Sequence, residues 1–415
     1  MNSFYSFAIT LLTLTLVSSP LLAQSLPTSR PDRVGMSTDR LTRVNDAAQA
    51  QIDAGTISGA VVLVAKDGRV VLHEAYGTTP DGSRALNKDT IYWMASMTKP
   101  IVAAAILMEM EKGNLSLTDP ASKFIPEWAS SQRMVREFPG GQRPGRGGPV
   151  NFELVSAERE ITVLDLVTHS AGLQVIGVPN DSIPPIEQGA TIESWVSQLG
   201  DVQLEFQPGK DWGYSNAASF DVLVRIVEVA SGIDFNTYLQ TNIFAPLNMN
   251  NSGFYAQLED TKKDLLGAVN PNLLQNPCIY GETFYCGSAG LWISTADYWR
   301  FAQMLANEGE FDGTRLLAPS SVAWMSTDHL KGLFPSTHVG PGTSGAGMGL
   351  GVAVVDNPIA LQRMVPEGAY GWDGVGQRRF WVWPQQNVVL IMFVDGNAHP
   401  AHQAIETAVM QAIIE

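Results

Sequence analysis

Cysteine and histidine are scarce in this chain, with two and six among 415 residues. The histidines are scattered. The nearest pair, His399 and His402 in "HPAH", has a proline between its members and no acidic partner in the motif, so both read as surface or capping residues and no metal centre is expected. Basic residues are also few, 26 against 41 acidic ones, which leaves a formal net charge of -15. That surplus repels nucleic acid and anionic membrane surfaces and excludes both as partners. No internal repeat and no low-complexity tract is present. A Gly-x-Ser-x-Gly elbow is missing too: Ser215 in "GYSNA" comes nearest and fails at the last position, which removes the usual support for an α/β-hydrolase. Beyond residue 23 no apolar run is long enough to span a bilayer.

The one long apolar run lies at the amino terminus. "FAITLLTLTLV" is followed by "SSPLLA" and Gln24, the pattern of an export signal over residues 1–23 cleaved near Ala23. The segment before it, "MNSFYS", has no Lys or Arg, so only the terminal amine supplies positive charge; a retained N-terminal tether is the alternative. No cysteine follows the cleavage point, so lipid attachment is not expected there, nor a stable membrane anchor after cleavage. The expected location is secreted or periplasmic. In an exported chain, Cys278 and Cys286 in "NPCIYGETFYCGS" suit a disulfide closing a small loop, two free thiols being the alternative.

What is abundant is apolar: 45% of residues are hydrophobic, the profile of a globular chain. "STDRLTRVNDAAQAQIDAG" (37–55) reads as a helix with a Ser cap and a terminal Gly. "GAVVLVAKDGRVVLHEAYG" reads as a hairpin turning on Asp-Gly. Residues 131–155 include "PGGQRPGRGGP", a Gly/Pro/Arg-rich excursion in which Arg133, Arg136, Arg143 and Arg146 either sit on a solvated loop or line a cleft. From 161 to about 330 the patterns are mainly helical. The end returns to strands, "MGLGVAVVD", "RRFWVWP" and "VVLIMFVDG", before a last helix near 401–414. Strands at both ends with helices between predict an α+β fold: one antiparallel sheet formed from both chain ends and flanked by helices, with a mainly helical inserted lobe. Residues 24–415 would then be one domain, with a sheet lobe of about 35–95 and 345–415 and a helical lobe of about 96–344.

The chemistry is expected in "WMASMTKPIVAAAILMEMEKGN". Ser96 and Lys99 open a helix that is apolar nearly all round and hence buried. Pro100 suits a first turn, and side chains three apart share a face, so Lys99 reaches the Ser96 hydroxyl. The helix start also places backbone N–H groups where an oxyanion would form. A plain N-cap serine with a solvated lysine fits the same letters, since a Ser-x-x-Lys match alone is a short motif. A second segment, "PGKDWGYSNAASFDVLVRIVEVASG", presents Tyr214, Ser215 and Asn216 just before another helix.

Together these segments resemble the serine β-lactamase and penicillin-binding superfamily, with class C β-lactamases and family VIII carboxylesterases the most similar branches. "ITVLDLVTHSAGL", "PLNMNNSGF", "CGSAGLWISTADYWRFAQML" and "YGWDGVGQRRFWVWP" extend the resemblance over most of the mature chain. It implies Ser96 as the acylated nucleophile, with Lys99 and Tyr214 as its base pair and Tyr214 passing the proton to the leaving group. Asn216 would hold the substrate carbonyl or the Lys99 ammonium. The third family element, Lys-Thr-Gly, is matched here by Trp372-Asp373-Gly374. Gly374 would admit the substrate backbone, and the Val375 and Ser96 amides would form the oxyanion hole. His169 in "THSAGL" sits in a segment that looks structural in the family, with a triad base as its other reading.

The departure lies in the third element. Trp372 stands where the family lysine favours a substrate carboxylate, and Asp373 adds a negative charge that Arg378 or Arg379 would have to compensate. Trp372 itself resembles the esterase branch, core packing being the alternative. The resemblance therefore implies an exported serine hydrolase, first a carboxylesterase on small esters. A β-lactamase or D-Ala-D-Ala carboxypeptidase and a non-catalytic sensor are the rivals. A small ester, lactam or amide would be its substrate, with no cofactor.

Overall fold

Ser37 starts the first helix, its Oγ accepting from the Arg40 N–H at 3.3 Å. In this computed structural model, which describes residues 26–129, 133–138, 151–267, 273–331 and 345–415, that helix is not continuous to residue 55. It breaks into α1 (Thr38–Leu41) and α2 (Arg43–Asp53). Thr42 at the break donates its hydroxyl to the Asp39 carbonyl at 2.6 Å, a side-chain bond of the kind that competes with the helical ladder. The expected signal segment, 1–23, lies outside the described residues.

The hairpin forms as read. β1 (Ile57–Lys66) and β2 (Arg69–Gly77) join through Asp67 and Gly68, both at positive φ (52° and 69°), the two-residue turn whose twist matches the strands. β3 (Ile91–Trp93) leads into a 3₁₀ turn, Ala95–Thr98, and then into α3 (Lys99–Glu111), buried from Lys99 through Glu109.

The excursion at 131–155 corrects the sequence reading. Its described parts form an antiparallel ribbon of β4 (Met134–Glu137) and β5 (Glu153–Ser156). Arg136 is buried and donates to Glu205 at 3.1 Å and to the Pro179 carbonyl at 2.7 Å. Arg133, also buried, lies over the Trp128 ring at 4.1 Å. Both therefore sit inside the protein, because aromatic surface and a carboxylate 69 residues away offer partners that the local letters do not reveal. Arg143 and Arg146 lie outside the described residues.

The helical stretch contributes α4 (Val163–Val167), closed at its start by a Thr162–Asp165 capping box, then α5 (Ile192–Val196) and α6 (Ala218–Ser231). α3 packs against α6, which also carries α4 and α5. β6 (Ser252–Phe254) and β7 (Leu291–Ser294) complete a three-stranded sheet with β3. Cys278 and Cys286 are joined by a disulfide. After the helix Thr295–Ala306 come a short hairpin, β8 (Glu310–Phe311) with β9 (Thr314–Arg315), and then β10 (Ala346–Met348), β11 (Ala353–Val355), β12 (Tyr370–Gly374), β13 (Arg378–Trp383) and β14 (Val388–Gly396).

The main sheet has the order β10-β11-β12-β13-β14-β1-β2 and is antiparallel throughout. The α+β fold with one sheet from both chain ends is as expected. β14 pairs with β1 from Ile57↔Gly396 to Lys66↔Val388, so strands from the two ends of the chain lie side by side in it. Successive residues of a strand face opposite sides. Phe380 meets Tyr298 of the helix Thr295–Ala306, whereas Arg379 meets Glu406 of the C-terminal helix His399–Ala412, so the sheet is covered on both faces. Among the described residues no helix is long and apolar enough to cross a membrane.

Candidate active site

The Met94 N–H is held by the Leu291 carbonyl at 2.8 Å, and the next residue, Ala95, turns into the left-handed region at φ 47°. The chain then closes a 3₁₀ turn, with the Met97 N–H on the Met94 carbonyl at 3.0 Å. In such a turn side chains three apart eclipse, which stacks Lys99 directly over Ser96. Lys99 Nζ donates to Ser96 Oγ at 3.2 Å. Ser96 makes no capping bond, so the N-cap reading fails. The solvated-lysine reading fails as well: Lys99 is fully buried and also donates to the Asn216 carbonyl at 3.3 Å and the Ser288 carbonyl at 2.7 Å. Three acceptors match the three N–H groups of an ammonium.

Tyr214 arrives from the turn before α6 and donates its hydroxyl to Ser96 Oγ at 2.6 Å. Its ring faces Lys99 Nζ at 5.2 Å. Ser96, Lys99 and Tyr214 are thus brought together as the sequence implied. Asn216 is only half as expected. Its backbone carbonyl, not its side chain, holds Lys99, and the residue is exposed.

His169 is not placed as a base. Its Nδ1 accepts from the Ser215 N–H at 3.2 Å, and its ring meets Tyr214 edge-on at 4.7 Å between centroids. Burial, and secondarily the Lys99 charge, hold it well below the ordinary histidine range. It acts as a neutral strut behind Tyr214.

The third element also comes to the site. Any side chain at Gly374 would put Cβ 2.3 Å from the Met94 carbonyl oxygen, so β12 lies directly against the turn carrying Ser96. Val375 follows just beyond the strand and is 69% exposed at the cleft mouth. Trp372 is buried and stacks toward His169 at 6.2 Å, with Tyr214 at 5.8 Å. It both packs and lines the cleft, joining the two alternatives the sequence left open.

Together these groups open into a cavity of about 420 Å³, walled by Ile176, Leu361, Trp372, Trp381 and Val375 with Ser96 and Tyr214. Two arginines also reach it, and both are engaged. Arg379 donates to Asp373 through Nε (2.6 Å) and Nη2 (2.5 Å), and Arg363 donates to Glu406. Arg378 points elsewhere: it pairs with buried Asp395 at 2.8 Å and lies over Tyr92. Of the two expected compensating arginines, only Arg379 meets Asp373, because it stands directly opposite across the ladder.

Sequence reading missed two supporting residues. Ser288 supplies a carbonyl to Lys99, and Asp221 accepts both the Ser288 N–H and its hydroxyl at 3.0 Å. Burial pushes the Asp221 carboxyl up to about 7, against the Ser288 hydrogen bonds and the Lys99 charge. Gly287 makes this contact possible, since a Cβ there would lie 2.5 Å from the Phe220 carbonyl oxygen on α6. The signal was present in "CGSAGL" and "SFDVL", although neither segment says what the other holds.

A family model for the beta-lactamases matches residues 44–413. An uncharacterised protein of Mycobacterium tuberculosis (strain CDC 1551 / Oshkosh) is 28% identical over 370 residues, covering 84% of this chain and 89% of that protein. A putative D-alanyl-D-alanine carboxypeptidase of Salmonella heidelberg (strain SL476) is 25% identical over 347 residues, 76% of each chain. Among solved structures, EstCE1, described as a hydrolase with promiscuous acyltransferase activity, superposes with a TM-score of 0.69 at 21% identity, covering 90% of this chain and 99% of its own. With the family pattern matched over most of its length, the chain belongs to the beta-lactamase family, whose members include serine esterases, β-lactamases and carboxypeptidases.

Proposed function

We propose that this protein is an exported serine hydrolase that forms an acyl-enzyme on Ser96 and acts as a carboxylesterase on small esters. The observation that carries the reading is Ser96 Oγ held between Lys99 Nζ at 3.2 Å and Tyr214 OH at 2.6 Å, at the floor of an apolar cavity. Ser96 Oγ attacks the ester carbonyl and its proton passes to Tyr214, which acts as a phenolate stabilised by the Lys99 ammonium. Positive dipole at the turn and the Ser96 and Val375 amides stabilise the oxyanion. Tyr214 returns the proton to the leaving alkoxide, and water then attacks the acyl-Ser96 ester by the same route in reverse.

Preference for esters over lactams and D-Ala-D-Ala peptides is supported by charge. Those rivals carry a carboxylate, and both arginines that line the cavity among the described residues are already paired. Export is supported by the apolar N-terminal segment and by the Cys278–Cys286 disulfide, a bond favoured in oxidising compartments.

A panel of p-nitrophenyl butyrate, nitrocefin and a D-Ala-D-Ala peptide tests the reading. The ester is expected to give by far the highest kcat/KM, and Ser96→Ala to abolish turnover with an unchanged circular dichroism spectrum. A far higher value on the lactam or peptide would make the protein a β-lactamase or carboxypeptidase instead. Labelling of Ser96 by a fluorophosphonate without turnover of any substrate would make it a sensor.

A further inference from the structure

Asp373 and Arg379 face each other across the β12–β13 ladder, and their contact is bidentate, Nε to Oδ1 and Nη2 to Oδ2. The remaining Nη1 donates to Glu406 at 3.3 Å. The Arg379 side chain is 10% exposed, whereas Asp373 is 47% exposed, so the aspartate sits on the open side of the pair. Both line the cavity into which Ser96 opens. A guanidinium offers one planar fork for a carboxylate, and here the protein's own carboxylate fills it.

The charge count around this pair is closed. Glu406 is fully buried and bonded to Arg363 as well as Arg379, which leaves two carboxylates facing two guanidiniums. An entering carboxylate therefore meets no spare cation in this network, and it meets the exposed face of Asp373 first. Burial tends to lower the Arg379 pKa, but Asp373 and Glu406 together hold it above the ordinary value, so the cation is permanent.

We infer that Asp373 is a specificity-determining residue: it occupies the Arg379 fork in place of a substrate carboxylate and so reserves the cleft for uncharged substrates. The inference rests on the reading of Ser96 as the acylation site. It goes further in assigning the charge preference to one removable side chain rather than to the general lining. Without the Asp373 charge the network carries one positive charge in excess, aimed into the cavity.

The test compares a near-isosteric pair that differs in charge, 3-acetoxybenzoate and 3-acetoxybenzamide, on the wild-type protein, Asp373→Asn and Asp373→Ser. The expected result is a rise of tenfold or more in the anionic-to-neutral ratio of kcat/KM in both variants, larger at low salt than at high salt. The dissociation constants of 3-carboxyphenylboronic acid and phenylboronic acid, which need no turnover, should move the same way. An unchanged ratio in both variants, with thermal transitions intact, overturns the inference. Absence of ester turnover by the wild-type protein would overturn the proposed esterase activity instead, and the boronate ratio would still decide the role of Asp373.

Discussion

Lys99 and Ser288 stand 189 residues apart in the chain, yet Lys99 Nζ donates to the Ser288 carbonyl at 2.7 Å. With the Asn216 carbonyl and Ser96 Oγ, that contact uses every N–H of the ammonium and aims it at the serine. Asp221 fixes the other side of Ser288, so the Lys99 ammonium is held in place by a relay from α6 through the 286–290 segment.

In the proposed mechanism the hydroxyl of Tyr214, 2.6 Å from Ser96 Oγ, returns a proton to the leaving alkoxide. Tyr214→Phe is expected to lower kcat on p-nitrophenyl butyrate by roughly 10²–10⁴-fold, the range for loss of a positioned general acid-base group. Dissociation constants for phenylboronic acid should change far less. Wild-type kcat in this variant would remove Tyr214 from the mechanism.

Asp221 should leave a mark on the pH dependence of stability. Its carboxyl is at about 7 in the folded protein against an ordinary 3.8, so the folded state binds a proton there that the unfolded state lacks. The stability this contributes is fully present below the ordinary value and is lost as pH rises through about 7. In Asp221→Asn the group cannot ionise. The difference in Tm, wild type minus variant, is expected to fall by several degrees between pH 4 and pH 7. A flat difference would refute it.

Trp372 joins the cleft wall to the strut formed by His169 and Tyr214. Trp372→Ala removes a side chain that is 7% exposed and opens a void beside the reacting groups. A cost of about 3–5 kcal/mol in unfolding free energy is expected, together with a higher KM for apolar esters. Urea denaturation and ester kinetics measure the two effects separately.

Arg136 and Glu205 form a buried pair far from Ser96 in sequence, with side chains 6% and 0% exposed. Arg136→Ala takes one cationic partner from the buried Glu205 carboxylate and is expected to destabilise the protein by about 3 kcal/mol. Replacing both partners by apolar residues should restore part of that loss. A single variant as stable as the wild type would show that the pair carries no structural role.

Elements whose cause is local were legible in the sequence. Asp67-Gly68 makes its turn because both residues tolerate positive φ, and Ser37 caps its helix because the hydroxyl reaches the next turn's N–H. The Ser96–Lys99 spacing brought the two groups together, although through a 3₁₀ turn rather than the first turn of the α-helix. Thr42 split the first helix through its own hydroxyl, a competition that apolar periodicity does not register. Arg136 was misplaced because the partner that makes burial tolerable lies on another segment.

By itself, the sequence determined the grouping of Ser96, Lys99 and Tyr214 and the antiparallel α+β architecture, since each follows from short spacings, apolar patterns or the family motifs they compose. Only the tertiary structure decided that Asn216 serves through its backbone, that Ser288 and Asp221 support Lys99, and that Arg379, not Arg378, answers Asp373. Alternation along β13 sends adjacent arginines to opposite faces, and the register with β12 selects which one meets the cleft.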